Sequence, residues 1–169
     1  IENCYNIGNV SASSSYRAYA GGIVGYNEDT ITNCYNTGTV SASASSYRYA
    51  DSGGIAGYNY KGTITNCYNT GAVSATSSYA YAGGIAGYNN FKITTCYNTG
   101  IVIGDYSGGI AGYSLDGISN SYYADAILGG VGKGTDIALK CTSEQFAQKS
   151  TFVGFDFDNV WTFDDTLDY

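Results

Sequence analysis

Residues 31–40 read ITNCYNTGTV, and residues 64–73 repeat them with one change, Ala72 for Thr39. Near copies stand at 1–10 (IENCYNIGNV) and 93–102 (ITTCYNTGIV), and a more distant unit opens at Ile118, with Ser121 in place of the cysteine. The opening residues Ile1, Ile31, Ile64, Ile93 and Ile118 are separated by steps of 30, 33, 29 and 25. A second anchor, Gly-Gly-Ile-(Ala/Val)-Gly-Tyr, recurs at 21–26, 53–58, 83–88 and 108–113. Self-similarity at such a period marks a repeat architecture, in which one unit buries its apolar face only against the next.

The spacing inside the units is informative. From the opening Ile to the following Val (Val10, Val40, Val73, Val102) the distance is always 9. From Gly-Gly to the next opening Ile it is 10 or 11, but from Val to Gly-Gly it is 11, 13, 10 and 6. Each unit is therefore two blocks of near-constant length joined by one elastic segment. Constant blocks suit stacking in register, and insertions collect in surface loops.

No segment of the repeats carries a 3.6-residue apolar period. Short runs of Ile, Val, Thr and Tyr alternate with Gly, Asn and Ser, the pattern of strand and turn. The reading is an all-β chain folded as a parallel β-helix (β-solenoid) of about five coils with three short strands per coil, each coil adding about 4.8 Å of height. In the second unit the strands are expected at Ile31–Tyr35, Thr39–Ala42 and Gly54–Tyr58. Residues 1–128 form the solenoid, 129–141 a Gly-rich linker, and 142–169 a C-terminal cap. The cap is expected to open with a helix, since Thr142 and Gln145 are spaced as a capping box, and to continue with strands at Thr151–Phe157 and Val160–Phe163. Phe146, Phe152, Phe155, Phe157, Trp161 and Phe163 crowd this stretch, as a covered solenoid end requires.

Stacking in register turns equivalent residues into columns. Four are expected for tyrosine: Tyr5, Tyr35, Tyr68, Tyr97 and Tyr122; Tyr16, Tyr47 and Tyr79; Tyr19, Tyr49, Tyr81 and Tyr106; and Tyr26, Tyr58, Tyr88 and Tyr113. Stacked rings at strand spacing gain by offset packing. Strict alternation from the opening Ile would put Cys34 outside. A corner at Asn33, bonded along an asparagine ladder, resets the parity and turns the Cys4, Cys34, Cys67 and Cys96 column inward and the tyrosines outward. Buried free thiols acting as small hydrophobes are favoured there. A disulfide is the second choice, because parallel Cβ vectors suit its dihedral poorly.

The composition excludes several chemistries. The chain has no His, so Ser-His-Asp and Cys-His sites are excluded within it, and the cysteine spacing matches no zinc motif. The repeat acids form no column that could act as the carboxylate pair of a glycosidase. GGVGKG at 129–134 lacks the ending of a phosphate loop, Gly134 following Lys133. No metal, cofactor or in-chain catalysis is expected. Net charge is −7, which disfavours nucleic acid, and no stretch approaches the length of a membrane-spanning helix.

GGIAGYN, ITNCYNTG and the following Val also resemble the GLUG repeat of bacterial surface proteins, found in large adhesins and in the non-catalytic repeat regions of some IgA-specific metallopeptidases. The resemblance covers nearly the whole chain. It implies a secreted or cell-surface protein with a right-handed β-helix-like body. The metallopeptidase motif of the IgA-cleaving relatives is absent, so that activity is not implied.

The elastic segments, Ser11–Ala20, Ser43–Ser52 and Ser74–Ala82, hold the candidate ligand contacts Tyr16, Arg17, Tyr47, Arg48 and Tyr79. Stacked on one edge, they would show Tyr, Arg and Ser together, a composition suited to adaptable recognition; as an alternative they are only solvated Ser-rich loops. The expected function is a non-catalytic extracellular module, a rigid stalk or display scaffold of a surface adhesin whose loops contact glycans or proteins. The alternative is a self-assembling segment of an extracellular fibre, its copies joined end to end.

Overall fold

The computed structural model describes residues 1–163 apart from Ser46, Asp116, Asp125 and Leu128. The chain is an all-β parallel β-solenoid. Among the described residues its strands form five parallel sheets, stacked six, four, four, four and five strands deep. Equivalent residues pair in register: Ile31 with Ile64, Ile64 with Ile93, Ile93 with Ile118, and Val10, Val40, Val73 and Val102 likewise.

A coil contains five short strands where three were expected. In the second unit they are Ile31–Thr32, Tyr35–Asn36, Val40–Ala44, Tyr49–Gly53 and Ala56–Asn59. The expected strand over Ile31–Tyr35 is cut in two at Asn33, whose φ is 54°; Asn3, Asn66, Thr95 and Asn120 make the same left-handed corner. Asparagine tolerates this region better than other residues with a Cβ. The corner restores the inward direction one residue later, so that Ile31, Ile64 and Ile93 and then Cys34, Cys67 and Cys96 are all buried.

The other additional strand lies within the elastic segment, which was read as loop. Val40–Ala44 leaves the body and Tyr49–Gly53 returns, and each pairs with its equivalents above and below. Val40, Ala42, Val73 and Ala75 on the outgoing sheet meet Ala18, Ala20, Ala50, Ala80 and Ala82 on the returning one in a core of their own. The segment is thus a flat two-layered arm; its tip takes up the variation in length among the first three units, and in the fourth the strands themselves shorten to Val102–Ile103 and Tyr106–Gly108. The main core is separate, built from the Ile31 column, the Cys34 column, Ile55, Ile85, Ile110 and the alanines beside them.

Glycine lets the layers close. A Cβ on Gly57 would lie 2.7 Å from the Gly25 carbonyl and 2.8 Å from the Ala20 amide, so the third glycine of the anchor is where this sheet meets the backbone of the arm. The second glycine, Gly54, lies flat against the Asn69 side chain.

That side chain belongs to one of two buried asparagine ladders. Asn6 donates to Asn36, Asn36 to Asn69 and Asn69 to Asn98, each at 2.7 Å. The same amides also donate to the carbonyls of Gly8, Gly38, Gly71 and Gly100 in their own turns, at 2.7–3.0 Å. The second ladder runs from Asn27 to Asn59 to Asn89 at 2.8 Å and ends on Ser114. One side chain thereby closes its own turn and locks it to the next coil.

The C-terminal region differs most from expectation. Residues 129–141, read as a linker, contain the strands Val131–Gly134 and Leu139–Cys141, which extend two of the sheets. The helix Ser143–Phe146 begins with the expected capping box. The strands expected at Thr151–Phe157 and Val160–Phe163 are not formed; the described part is a short 3-10 turn at Lys149–Thr151 and further turns. This stretch lies as a strap along the side of the tyrosine ladder and not over an end of the solenoid. Phe146 and Phe152 pack on Tyr97, Phe152 and Phe155 on Tyr122, and Trp161 reaches Tyr68 and Tyr97. The Val153 amide donates to the Tyr122 hydroxyl at 2.8 Å. Aromatic side chains hold it there, and these have no period by which a strand could be told from a strap.

Removing one rung of the ladder is costly. Asn69→Ala deprives the Gly71 carbonyl of its side-chain donor and the Asn36 amide of its acceptor in the next coil, while the Asn98 amide oxygen keeps the Gly100 amide as its remaining donor; buried groups left unpaired cost about 1–3 kcal/mol each. Urea unfolding of this variant is expected to show a loss of at least about 2 kcal/mol, well above that of a solvent-facing change such as Thr39→Ala, which writes the residue found at the equivalent position 72.

Candidate functional site

The arms present the candidate residues. Ser14 accepts a hydrogen bond from the Tyr16 amide and Ser77 from the Tyr79 amide, each at 3.1 Å, which fixes two of the tips by the same local turn. Tyr47 turns the longer second tip at φ 64° and stands 80% exposed.

Five side chains, two cations and three rings, form one row. The Arg48 guanidinium lies 4.7 Å from the Tyr16 ring centre. Arg17 lies 5.6 Å from the same ring and 5.2 Å from that of Tyr49. Tyr49 stacks on Tyr79 at 5.3 Å. Of the expected contact set, Tyr16, Arg17, Arg48 and Tyr79 join this row and Tyr47 does not. Tyr49 was missed as a member.

Two tyrosine columns differ from the expected ones. Arg17, Tyr49 and Tyr79 occupy equivalent positions, so Tyr16, Tyr47 and Tyr79 do not form a column. Tyr19, Asp51, Tyr81 and Tyr106 are equivalent, so Asp51 and not Tyr49 fills the second-coil position. The register of the returning strand is set from Gly-Gly. Asp51 precedes Gly53 by two residues, as Tyr19, Tyr81 and Tyr106 precede Gly21, Gly83 and Gly108. Counting backward from that anchor would have found the column.

The remaining two columns stand in the expected register. Tyr5, Tyr35, Tyr68 and Tyr97 stack at 4.9–5.2 Å, and Tyr122 follows Tyr97 in register, buried under Phe152 and Phe155. Tyr26, Tyr58, Tyr88 and Tyr113 stack at 4.3–5.4 Å.

Asp51 is a carboxyl set in an aromatic column and is 2% exposed. Its Oδ1 has no hydrogen-bond partner. Burial raises its pKa to about 8, against a smaller opposing pull from Arg17. At neutral pH it is mainly a neutral acid.

Cys34, Cys67 and Cys96 are buried free thiols, and Cys4 is an exposed one. Each Sγ donates to the carbonyl two residues before it, at 3.1–3.2 Å. Ser121 makes the same bond to Ser119 at 2.9 Å, so the position selects a small donor, thiol or hydroxyl. The Cys34 thiol is held far above its ordinary range, by its hydrogen bond with Cys67 first and by burial second. Such a thiol supplies no nucleophile at neutral pH. Among the described residues no group of three His, Cys, Asp or Glu is placed to hold a metal ion, and no helix is long and apolar enough to cross a membrane.

Residues 16–41 and 49–74 match the family model of the GLUG motif. These units are GLUG repeats. The two matched segments each begin in an arm, run through the Gly-Gly anchor and the following Cys-Tyr block, and end at the start of the next arm. Among solved structures, the chain is similar to a Bacteroides ovatus protein proposed to be an immunoglobulin A1 protease, with 25% identity and a TM-score of 0.59. The alignment covers 92% of this chain and 52% of that one, so the chain spans about half the length of its structural relative. No curated protein matches the sequence.

Two expectations follow. With a thiol reagent at neutral pH, Cys4 reacts at once, whereas Cys34, Cys67, Cys96 and Cys141 react only on unfolding; rapid modification of further thiols in the native state would contradict the burial. For Asp51, the folded state binds the proton more tightly than the unfolded chain. Its contribution to stability is therefore complete at and below the ordinary carboxylate pKa, is lost as pH rises from there to about 8, and then levels off. The slope approaches about 1.4 kcal/mol per pH unit within that window. Asp51→Asn is expected to flatten the profile and to be more stable than the parent at pH 8.

Proposed function

We propose that this chain is a rigid, non-catalytic module of an extracellular or cell-surface protein, a display scaffold whose arms contact glycans or proteins. The observation that carries this reading is the gathering of Tyr16, Arg17, Arg48, Tyr49 and Tyr79 from three successive repeats into one row on the arms. In-register stacking makes neighbouring tips into a single surface, and tyrosine offers large contact area with little side-chain freedom to lose. The absence of His from the sequence and the suppressed thiols speak for binding over catalysis. The relative's proposed protease activity concerns a chain about twice the aligned length and is not carried over.

A second reading, a self-assembling segment, is favoured by the terminal strands of each stack. Among the described residues Val102–Ile103 and Ile118–Ser119, for example, pair on one side only, and an unpaired edge can receive another copy.

The test is a glycan and matrix-protein array probed with the purified chain and two variants. In one, the three long arms are cut to the length of the fourth, where Val102–Ile103 and Tyr106–Gly108 are joined directly by a short turn. The other keeps the arms and carries Tyr16→Ala, Arg17→Ala, Arg48→Ala, Tyr49→Ala and Tyr79→Ala. A ligand bound by the parent and lost, by about tenfold or more, in both folded variants is the expected result. A blank array for a folded, monodisperse parent would overturn the reading, and concentration-dependent association in sedimentation would favour the assembly segment.

A further inference from the structure

The chain contains two arginines, Arg17 and Arg48, and the fold brings both onto the Tyr16 ring. This concentration of guanidinium stands on a protein of net charge −7. Neither arginine has an ion-pair partner among the described residues. The Arg17 side chain donates to the Tyr19 hydroxyl at 3.3 Å, and the groups that act on it most are the phenols of Tyr19, Tyr16 and Tyr49. The nearby carboxyl, Asp51, is buried in the adjacent column between Tyr19 and Tyr81 and mainly neutral at neutral pH.

We infer that Arg17 and Arg48, held apart by Tyr16, form a clamp for an anionic glycan, a sugar chain bearing carboxylate or sulfate groups. This rests on the reading of the arms as the contact surface and names the chemistry they select. A guanidinium offers a planar fork that matches the paired oxygens of a carboxylate or sulfate. Stacking on rings fixes the orientation of each fork in advance, which limits the freedom lost on binding. The faces of Tyr16 and Tyr49 are covered by the guanidiniums and by the neighbouring ring, so the rings between and beside the forks offer the sugars their edges and phenol hydroxyls, one ring at each coil. An acidic peptide fits less well. An extended peptide gains most from a free sheet edge, and the free edges here lie at the ends of the stacks, not along the arm tips.

The experiment measures binding of the full chain to four probes: a hyaluronan hexasaccharide with carboxylates alone, a chondroitin sulfate hexasaccharide with both groups, a neutral chitin hexasaccharide, and poly-glutamate. Arg17→Gln with Arg48→Gln is compared with the parent. Both side chains are exposed, so the fold is expected to survive, checked by circular dichroism. The expected result is binding of one or both anionic sugars, weakened about tenfold or more by the double substitution, lowered by salt, and at least about tenfold weaker for the neutral sugar. Preference between the first two probes tells carboxylate from sulfate. Equal binding of the neutral sugar, unchanged binding by the double variant, or equal binding of poly-glutamate would each overturn the clamp. A ligand lost on shortening the arms but kept by the double variant would overturn the clamp and leave the arm surface standing. No ligand in either experiment would overturn both.

Discussion

A buried side-chain amide has two donor hydrogens and one acceptor oxygen to satisfy, and in this protein only exact vertical repetition satisfies them. Asn36 gives one hydrogen to the carbonyl of its own turn and the other to Asn69 in the next coil, while its oxygen receives from Asn6. A slip of one residue would leave a column of polar groups unpaired in the interior. Two such ladders stand on different sides of the main core, so coil spacing and rotation are constrained together. The apolar columns gain from stacking, but isoleucine on isoleucine would tolerate small offsets that the asparagines do not.

Small residues set the second constraint. Each inner coil gives the main core two isoleucines, one cysteine and one alanine, and the arms are filled by alanine and valine. Little apolar area is available per coil, so stability depends on adding coils, as in other solenoids. Thin layers also require close backbones. Gly57 and its equivalents allow the arm to leave the body without opening a gap, which ties the recurring glycine anchor directly to the arm behind it.

The surface follows from these interior demands. Once the buried columns fix the register, the residues between them stand in rows whether or not a ligand uses them. The result is two long tyrosine ladders, one partly covered by the C-terminal strap, and the shorter cation–ring row on the arms. Asp51 interrupts an aromatic column from within. Its neutral carboxyl costs less than a buried charge would, and it keeps a negative charge away from the two arginines at neutral pH.

The period, the in-register stacking and the β class were legible in the sequence because identical residues recur at near-constant spacing, and such spacing permits few architectures. The inward cysteine and outward tyrosine could also be read, through the corner at Asn33. The arms could not, since Ser-Ala-Tyr alternation resembles a loop until a second layer faces it. The identity of the arm row was half legible: the arginines and Tyr16 stood out, whereas Tyr49 and Asp51 exchange places unless the register is counted from Gly-Gly. Where the strap lies was decided by aromatic contacts between residues far apart in the chain. Local pattern determined what repeats along the axis, and tertiary contact alone decided what packs across it, because period constrains stacking but says nothing about which faces meet.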